Sequence, residues 1–305
     1  MIQYLSSQKN NGLLEAHTGA SSGSWIRSER PDELEKAILI ELGIDESILE
    51  DALDPHEVPR AEAEDKWTYF ITRLPDTDDD FNDFTTPILF GLSSHHIVTV
   101  SRDSLGRLWQ PFIDTNTVPT SNRTQFFISM MEAILSQYQR RVSTINRQMR
   151  AATSDVQLLR SKDISTLTEY ERKLNDYLDA LMPTNTAISK LLGGKMLRLS
   201  DDDRDMVEDL SIDLAQVIAR CKSLLRTITN LRDSYRAVMD TRLNETIRLL
   251  TVITLALTIP TMLAGLLGMN VRLPVDETSP VIFWGIIVIS LVLAASLSVY
   301  FLRKK

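Results

Sequence analysis

Among the 305 residues only one is cysteine, Cys221, and four are histidine. A single thiol excludes an internal disulfide and a cysteine metal cage, and so little imidazole leaves few ligands for a softer transition metal. Glycine and proline number 11 each, too few for a collagenous or low-complexity chain. No glycine-rich phosphate loop with its lysine is present to run a pump. Bases are outnumbered, 33 to 41 acids, for a net charge of −8, which argues against nucleic acid as a partner and suits a body that meets cations. The first residues lack a basic segment followed by a long apolar one, so no secretory signal is read there and the N-terminal body is expected to stay in the cytoplasm. No nucleophile, base and orienting group can be assembled, so neither an enzyme nor an organic cofactor is expected.

What the chain does have is two long uncharged runs at its C-terminal end, residues 249–271 and 278–302. The first, at helical rise, reaches roughly 35 Å, enough to cross a hydrocarbon core. Between them, residues 272–277 carry Arg272, Asp276 and Glu277, so the runs read as a membrane hairpin with a short outer loop. Arg242, Arg248, Arg303, Lys304 and Lys305 on one side against Arg272 on the other place both termini in the cytoplasm.

The soluble part comes first. Residues 1–120 read as an α/β domain, with strands over 67–74, 88–92 and 96–100 and helices over 31–42 and 45–52. Asp76, Asp78, Asp79 and Asp80 form an acid-rich turn that could offer oxygen ligands to a hard divalent ion, though it lacks calcium-loop spacing and reads more readily as a solvated hairpin loop. His95 and His96, adjacent on a strand, would point to opposite faces. Residues 121–200 read as two long helices packing on a stalk; their arginines Arg140, Arg141, Arg147, Arg150 and Arg160 suit a helix exterior answering the acidic domain better than a nucleic-acid face.

The stalk, residues 201–248, opens on Ser200 and three aspartates, a capping pattern. Leu210, Leu214, Val217, Cys221, Leu224, Ile228, Leu231, Tyr235 and Val238 then recur in alternating steps of four and three, a heptad seam that needs a partner helix from this chain or another copy. Nothing ends the helix before Pro260, so stalk and first span are expected to be continuous. On that span Asn244, Ile247, Thr251, Thr254, Thr258, Thr261, Gly265 and Gly268 share one stripe, and Leu249, Val252, Ile253, Leu255, Leu257 and Met262 take the others. Threonine in a membrane helix can satisfy itself on the backbone one turn back; four in a row fit a wet lumen better.

Gly268, Met269 and Asn270 closing a span, after Ile259, Pro260, Thr261, Ala264 and Gly265, resemble the CorA-type divalent-cation channels. Asn244, Glu245, Leu250 and Thr251 stand at the family's spacing upstream, and the second span with its basic end completes the likeness. The resemblance implies a homopentamer in the cell membrane, its only partners being further copies, lipid and divalent cations. Gly268, Met269 and Asn270 would be the selectivity filter, Ile247 and Leu250 an apolar constriction, and Mg2+ both the transported and the regulatory ion, with Co2+ and Ni2+ as further substrates. Asp209 matches the family's stalk carboxylate for a regulatory ion, with the loop of Asp76, Asp78, Asp79 and Asp80 as its partner. Departures are Leu267 in place of an aromatic residue, and Arg272 directly beyond the filter with Asp276 and Glu277 later than the usual glutamate. Two other readings stand beside this one: a ZntB-like zinc transporter, coupled to protons, and a non-conducting membrane-anchored scaffold.

Overall fold

The protein is described by a computed structural model over residues 2–7, 14–77, 83–152, 161–194, 196–197, 199–269 and 280–303. It packs as two compact units, Met1–Leu231 and Arg232–Lys305.

The first unit is built on one mixed sheet. Its strands are β1 (Ile2–Ser7), β2 (Leu14–His17), β3 (Trp25–Glu29), β4 (Arg60–Glu64), β5 (Trp67–Thr77), β6 (Asp83–Leu92) and β7 (Ile97–Ser101), in the order β2-β1-β3-β7-β6-β5-β4. Every pairing is antiparallel except β3 with β7, which run parallel with Trp25 opposite Ile97. Side chains alternate across a strand, and here both faces are covered. Trp25, Phe70, Ile88, Phe90 and Ile97 enter one core, while Ile26, Tyr69, Ile71, Leu89 and Val98 enter the other.

Helices α1 (Glu33–Glu41) and α2 (Glu46–Leu53) cover the second face through Leu39, Ile48, Leu49 and Ala52. Each is started by an aspartate. Asp32 and Glu35 form a reciprocal capping box, and the Asp45 carboxylate accepts from the Ser47 and Ile48 amides. Pro31, the first residue of the helix expected over 31–42, lies just outside the cap.

The first face carries α3 (Gly106–Thr115), α4 (Arg123–Ala152), α5 (Ser161–Leu192) and the N-terminal part of α6 (Asp201–Leu267). Phe126, Phe127, Met130, Met131, Ile134, Tyr138, Val142, Ile145 and Met149 keep helical spacing along α4, and all are buried. The heptad seam finds its partner here. Leu210, Leu214, Val217, Cys221, Leu224 and Ile228 lie in the same core as α4 and α5, so this part of the seam is filled within the chain. Burial holds the Cys221 thiol protonated, pushing it up to about 12.

Polar bonds fix the helices on the sheet. The Tyr138 hydroxyl donates to the Arg73 carbonyl at 3.0 Å, and desolvation of that buried phenol drives its pKa far up. Thr184 donates to the Ala180 carbonyl at 2.8 Å, so at its 2.8 Å contact with Thr72 it accepts. Arg73 donates to the carbonyls of Pro55 and Glu57 and to Thr85, tying the proline-broken segment after α2 to the sheet edge; burial lowers its pKa.

Candidate functional site

Helix α6 starts on a reciprocal cap: the Ser200 hydroxyl accepts from the Asp203 amide, and the Asp203 carboxylate accepts from the Ser200 amide. It contributes to both units and continues through Pro260 to Leu267. The second unit holds the remainder of α6 and α7 (Pro280–Arg303). Both are long and apolar enough to cross a membrane, and their most apolar windows are only 6% and 11% buried. Apolar surface so bare is unfavourable in water and is the surface that lipid or further copies would cover. The Arg248 guanidinium donates to the Phe301 carbonyl, which sets the beginning of the first apolar run beside the end of the second. The expected hairpin is therefore present at its open end. Its turn, with Asn270, Arg272, Asp276 and Glu277, lies outside the described residues.

The stripe is exposed along its whole length. Asn244, Ile247, Leu250, Thr251, Thr254, Thr258, Thr261, Gly265, Gly268 and Met269 are all exposed within the single chain. Each threonine hydroxyl does turn back on the helix. Thr251 donates to Ile247 O, Thr254 to Leu250 O, Thr258 to Thr254 O and Thr261 to Leu257 O, at 2.7 to 2.8 Å. A carbonyl cannot donate, so every hydroxyl proton is committed. What remains on each Oγ1 is acceptor capacity alone, and the backbone-satisfying role and a polar face are therefore the same arrangement.

Two assignments to the other stripes change. Leu257 and Met262 line a cleft of about 400 Å³ together with Thr254, Thr258 and Thr261. At about 100° per residue, Leu257 stands only some 60° round from Thr254 and flanks the hydroxyls. Beyond α6 the Gly268 amide still bonds Ala264 O at 3.0 Å, and the Met269 amide reaches Leu266 O at 3.4 Å. A Cβ at Gly268 would meet Ala264 O at 3.3 Å, so the chain passes close to its own carbonyls at this point.

Of the acidic candidates, Asp209 and Asp76 lie among the described residues. Asp209 is exposed on α6. Asp76 is the next-to-last residue of β5, its carboxylate accepting from the Thr77 amide and its carbonyl from Arg141; Asp78, Asp79 and Asp80 lie outside the described residues. No group of three or more His, Cys, Asp and Glu side chains able to hold a metal occurs among the described residues. His95 and His96 sit in the turn before β7 rather than on the strand, with ring centroids 6.3 Å apart. Sequence reasoning used Arg248 only as a marker of orientation and did not foresee its bond to α7; no spacing rule reports such a contact.

Residues 21–304 match the sequence model described as CorA-like Mg2+ transporter protein. The cobalt/magnesium transport protein CorA of Methanocaldococcus jannaschii is 22% identical over 287 residues, covering 92% of this chain and 90% of that protein. The complete structure of the CorA magnesium transporter from the same organism superposes with a TM-score of 0.86 at 19% identity, over 100% of this chain and 98% of that one. The ZntB cytoplasmic domain from Vibrio parahaemolyticus is similar over 78% of this chain and 98% of its own length, with a TM-score of 0.64 at 11% identity.

Proposed function

Because this chain belongs to the CorA-like Mg2+ transporter family, we propose that copies of it, five by the family resemblance, set their α6 stripes around a shared axis in the cell membrane, with both termini in the cytoplasm, and pass divalent cations. The observation that carries this reading is the line of four threonines whose protons are all committed to the backbone. Mg2+ dehydrates reluctantly and keeps several waters. Water bound to a cation turns its hydrogens outward, so a lumen for the hydrated ion needs acceptors, which these oxygens supply. Gly268 and Asn270 would add neutral oxygens at the mouth, and Ile247 with Leu250 an apolar constriction able to close by dewetting.

Inward movement is then passive. At about 2.3 kcal/mol per charge per 100 mV, a divalent ion gains about 4.6 kcal/mol on entry. Magnesium is the first substrate, with cobalt and nickel behind it. The ZntB-like fold of the soluble part keeps zinc with proton coupling as the second reading. Uptake into proteoliposomes distinguishes them: Mg2+ influx that follows an imposed potential and ignores a pH gradient is expected, whereas Zn2+ influx that needs the gradient supports the alternative. Uptake of neither ion by assembled protein leaves the anchored scaffold.

Gating is assigned to internal Mg2+ at Asp209 and the acid-rich turn containing Asp76, Asp78, Asp79 and Asp80. As the family resemblance implies, the regulatory ion is expected to lie between subunits and to draw oxygens from two copies. Asp209→Asn should raise the internal Mg2+ that half-closes the channel by about tenfold, within the usual range of coupling between sites; inhibition curves identical to wild type remove Asp209 from the sensor.

A further inference from the structure

We propose that the groove between α4 and α6 in the first unit binds a soluble polyphosphate, the anion class of a nucleoside triphosphate. It measures about 860 Å³ and is lined by Arg140, Arg147 and Arg220, with Ser136, Ser143 and Gln216 among its polar neighbours. Its floor is the buried pair Val142 and Val217. On α4 the spacing from Ser136 to Arg140, Ser143 and Arg147 is four, three and four, one face of a helix. Gln216 and Arg220 are likewise four apart on α6.

Charge singles this groove out. The chain is acidic overall, at −8, yet among the described residues no carboxylate lines this groove and three guanidiniums do. Two other arginines of α4 are occupied, Arg141 on the Asp76 carbonyl and Arg150 on the Asn146 amide oxygen. Arg140, Arg147 and Arg220 have no hydrogen-bond or ion-pair partner among the described residues. Like charges gathered without a counter-charge repel, and guanidinium forks match phosphate oxygens in paired bonds. Size selects the anion. The volume falls in the range of roughly 300 to 1,000 Å³ typical of small-molecule sites. Arg140 and Arg147 stand two turns apart, about 10 Å along the axis, which asks for a chain of phosphates rather than one. The groove lies in the unit that does not contain the threonine stripe, so binding there can be tested without reference to transport.

The experiment is calorimetric titration of the full-length protein in detergent, free of divalent metal, with tripolyphosphate, ATP and inorganic phosphate. Saturable binding of tripolyphosphate and ATP that weakens with salt, and much weaker binding of inorganic phosphate, are expected. The Arg140→Gln/Arg220→Gln double variant should bind tripolyphosphate at least about tenfold more weakly, as the loss of charge-assisted bonds implies. Where that variant misfolds, Ser143→Glu, on an exposed helical position, carries the test by placing a negative charge in the groove, and it should abolish binding with an unchanged melting temperature. No binding by wild type, or equal binding by a folded variant, overturns the proposal. So does a result in which only an RNA oligonucleotide binds, or one in which the variant binds tripolyphosphate normally and changes only the oligomeric state, which would assign the groove to a second copy.

Discussion

Asn270→Ala is expected to reduce Mg2+ influx into proteoliposomes to the level of vesicles without protein. The proposed pore offers the ion no carboxylate, since residues 249–271 carry no charge; selection at the mouth rests on neutral oxygens. One amide oxygen from each of five copies, at about 0.5 to 1.5 kcal/mol of net hydrogen bonding apiece, sums to several kcal/mol. Alanine removes the whole ring in one substitution, so a fall of about a hundredfold or more is expected. The variant should elute with wild-type size, because position 270 belongs to the second unit and not to the folded first one. Unchanged flux from assembled protein would contradict conduction along this axis and favour the scaffold reading.

Trp25→Ala is the corresponding prediction for stability. Trp25 is fully buried, sits within 6.1 Å of Trp109, Phe112 and Phe126 by ring centroid, and donates its indole N–H to Thr99 at 2.9 Å. Truncating a buried tryptophan costs about 3 to 5 kcal/mol, a large part of the roughly 5 to 15 kcal/mol that holds a domain together. For a body of this size that corresponds to a melting temperature lower by about 6 to 20 °C. Calorimetry on full-length protein in detergent reads the shift, and Thr99→Val, which removes only the hydrogen-bond partner, should lower it far less. Equal shifts for the two variants would mean that the indole bond, and not the aromatic packing, carries the effect.

The parts legible in the sequence are those where one physical cause acts alone. Strands β5, β6 and β7 announce themselves through β-branched and aromatic runs, α1 through Pro31 and the acids beside it, and α2 through the run that begins at Asp45. The seam from Leu210 to Ile228 follows from spacing. Its partner does not, because a heptad says that a helix needs covering without saying by what; the answer lies in the α4 and α5 side chains that share its core. Strands β1, β2 and β4 are thinly signalled, since their side chains are mostly half-buried or exposed and only Ala61 of β4 is buried. Both Pro183 and Pro260 lie inside helices, against their usual meaning as stops; tertiary packing of α5 and the apolar setting of α6 outweigh one lost backbone bond. The threonine stripe was visible from its spacing, but its donor and acceptor roles needed coordinates. The arginine groove was invisible, as it arises only when α4 and α6 are set in register.

The single parallel pairing, β3 against β7, has a consequence for how the protein is made. Trp25 waits for Ile97, so the sheet cannot close until about a hundred residues have left the ribosome. From there to the first apolar run is roughly 150 residues, about 7 to 30 s of synthesis at 5 to 20 residues per second, whereas mixed sheets of this kind form within milliseconds to seconds. The strands therefore have time to pair before the apolar run at residues 249–271 has been made, and that run leaves the ribosome behind a sheet that is already closed.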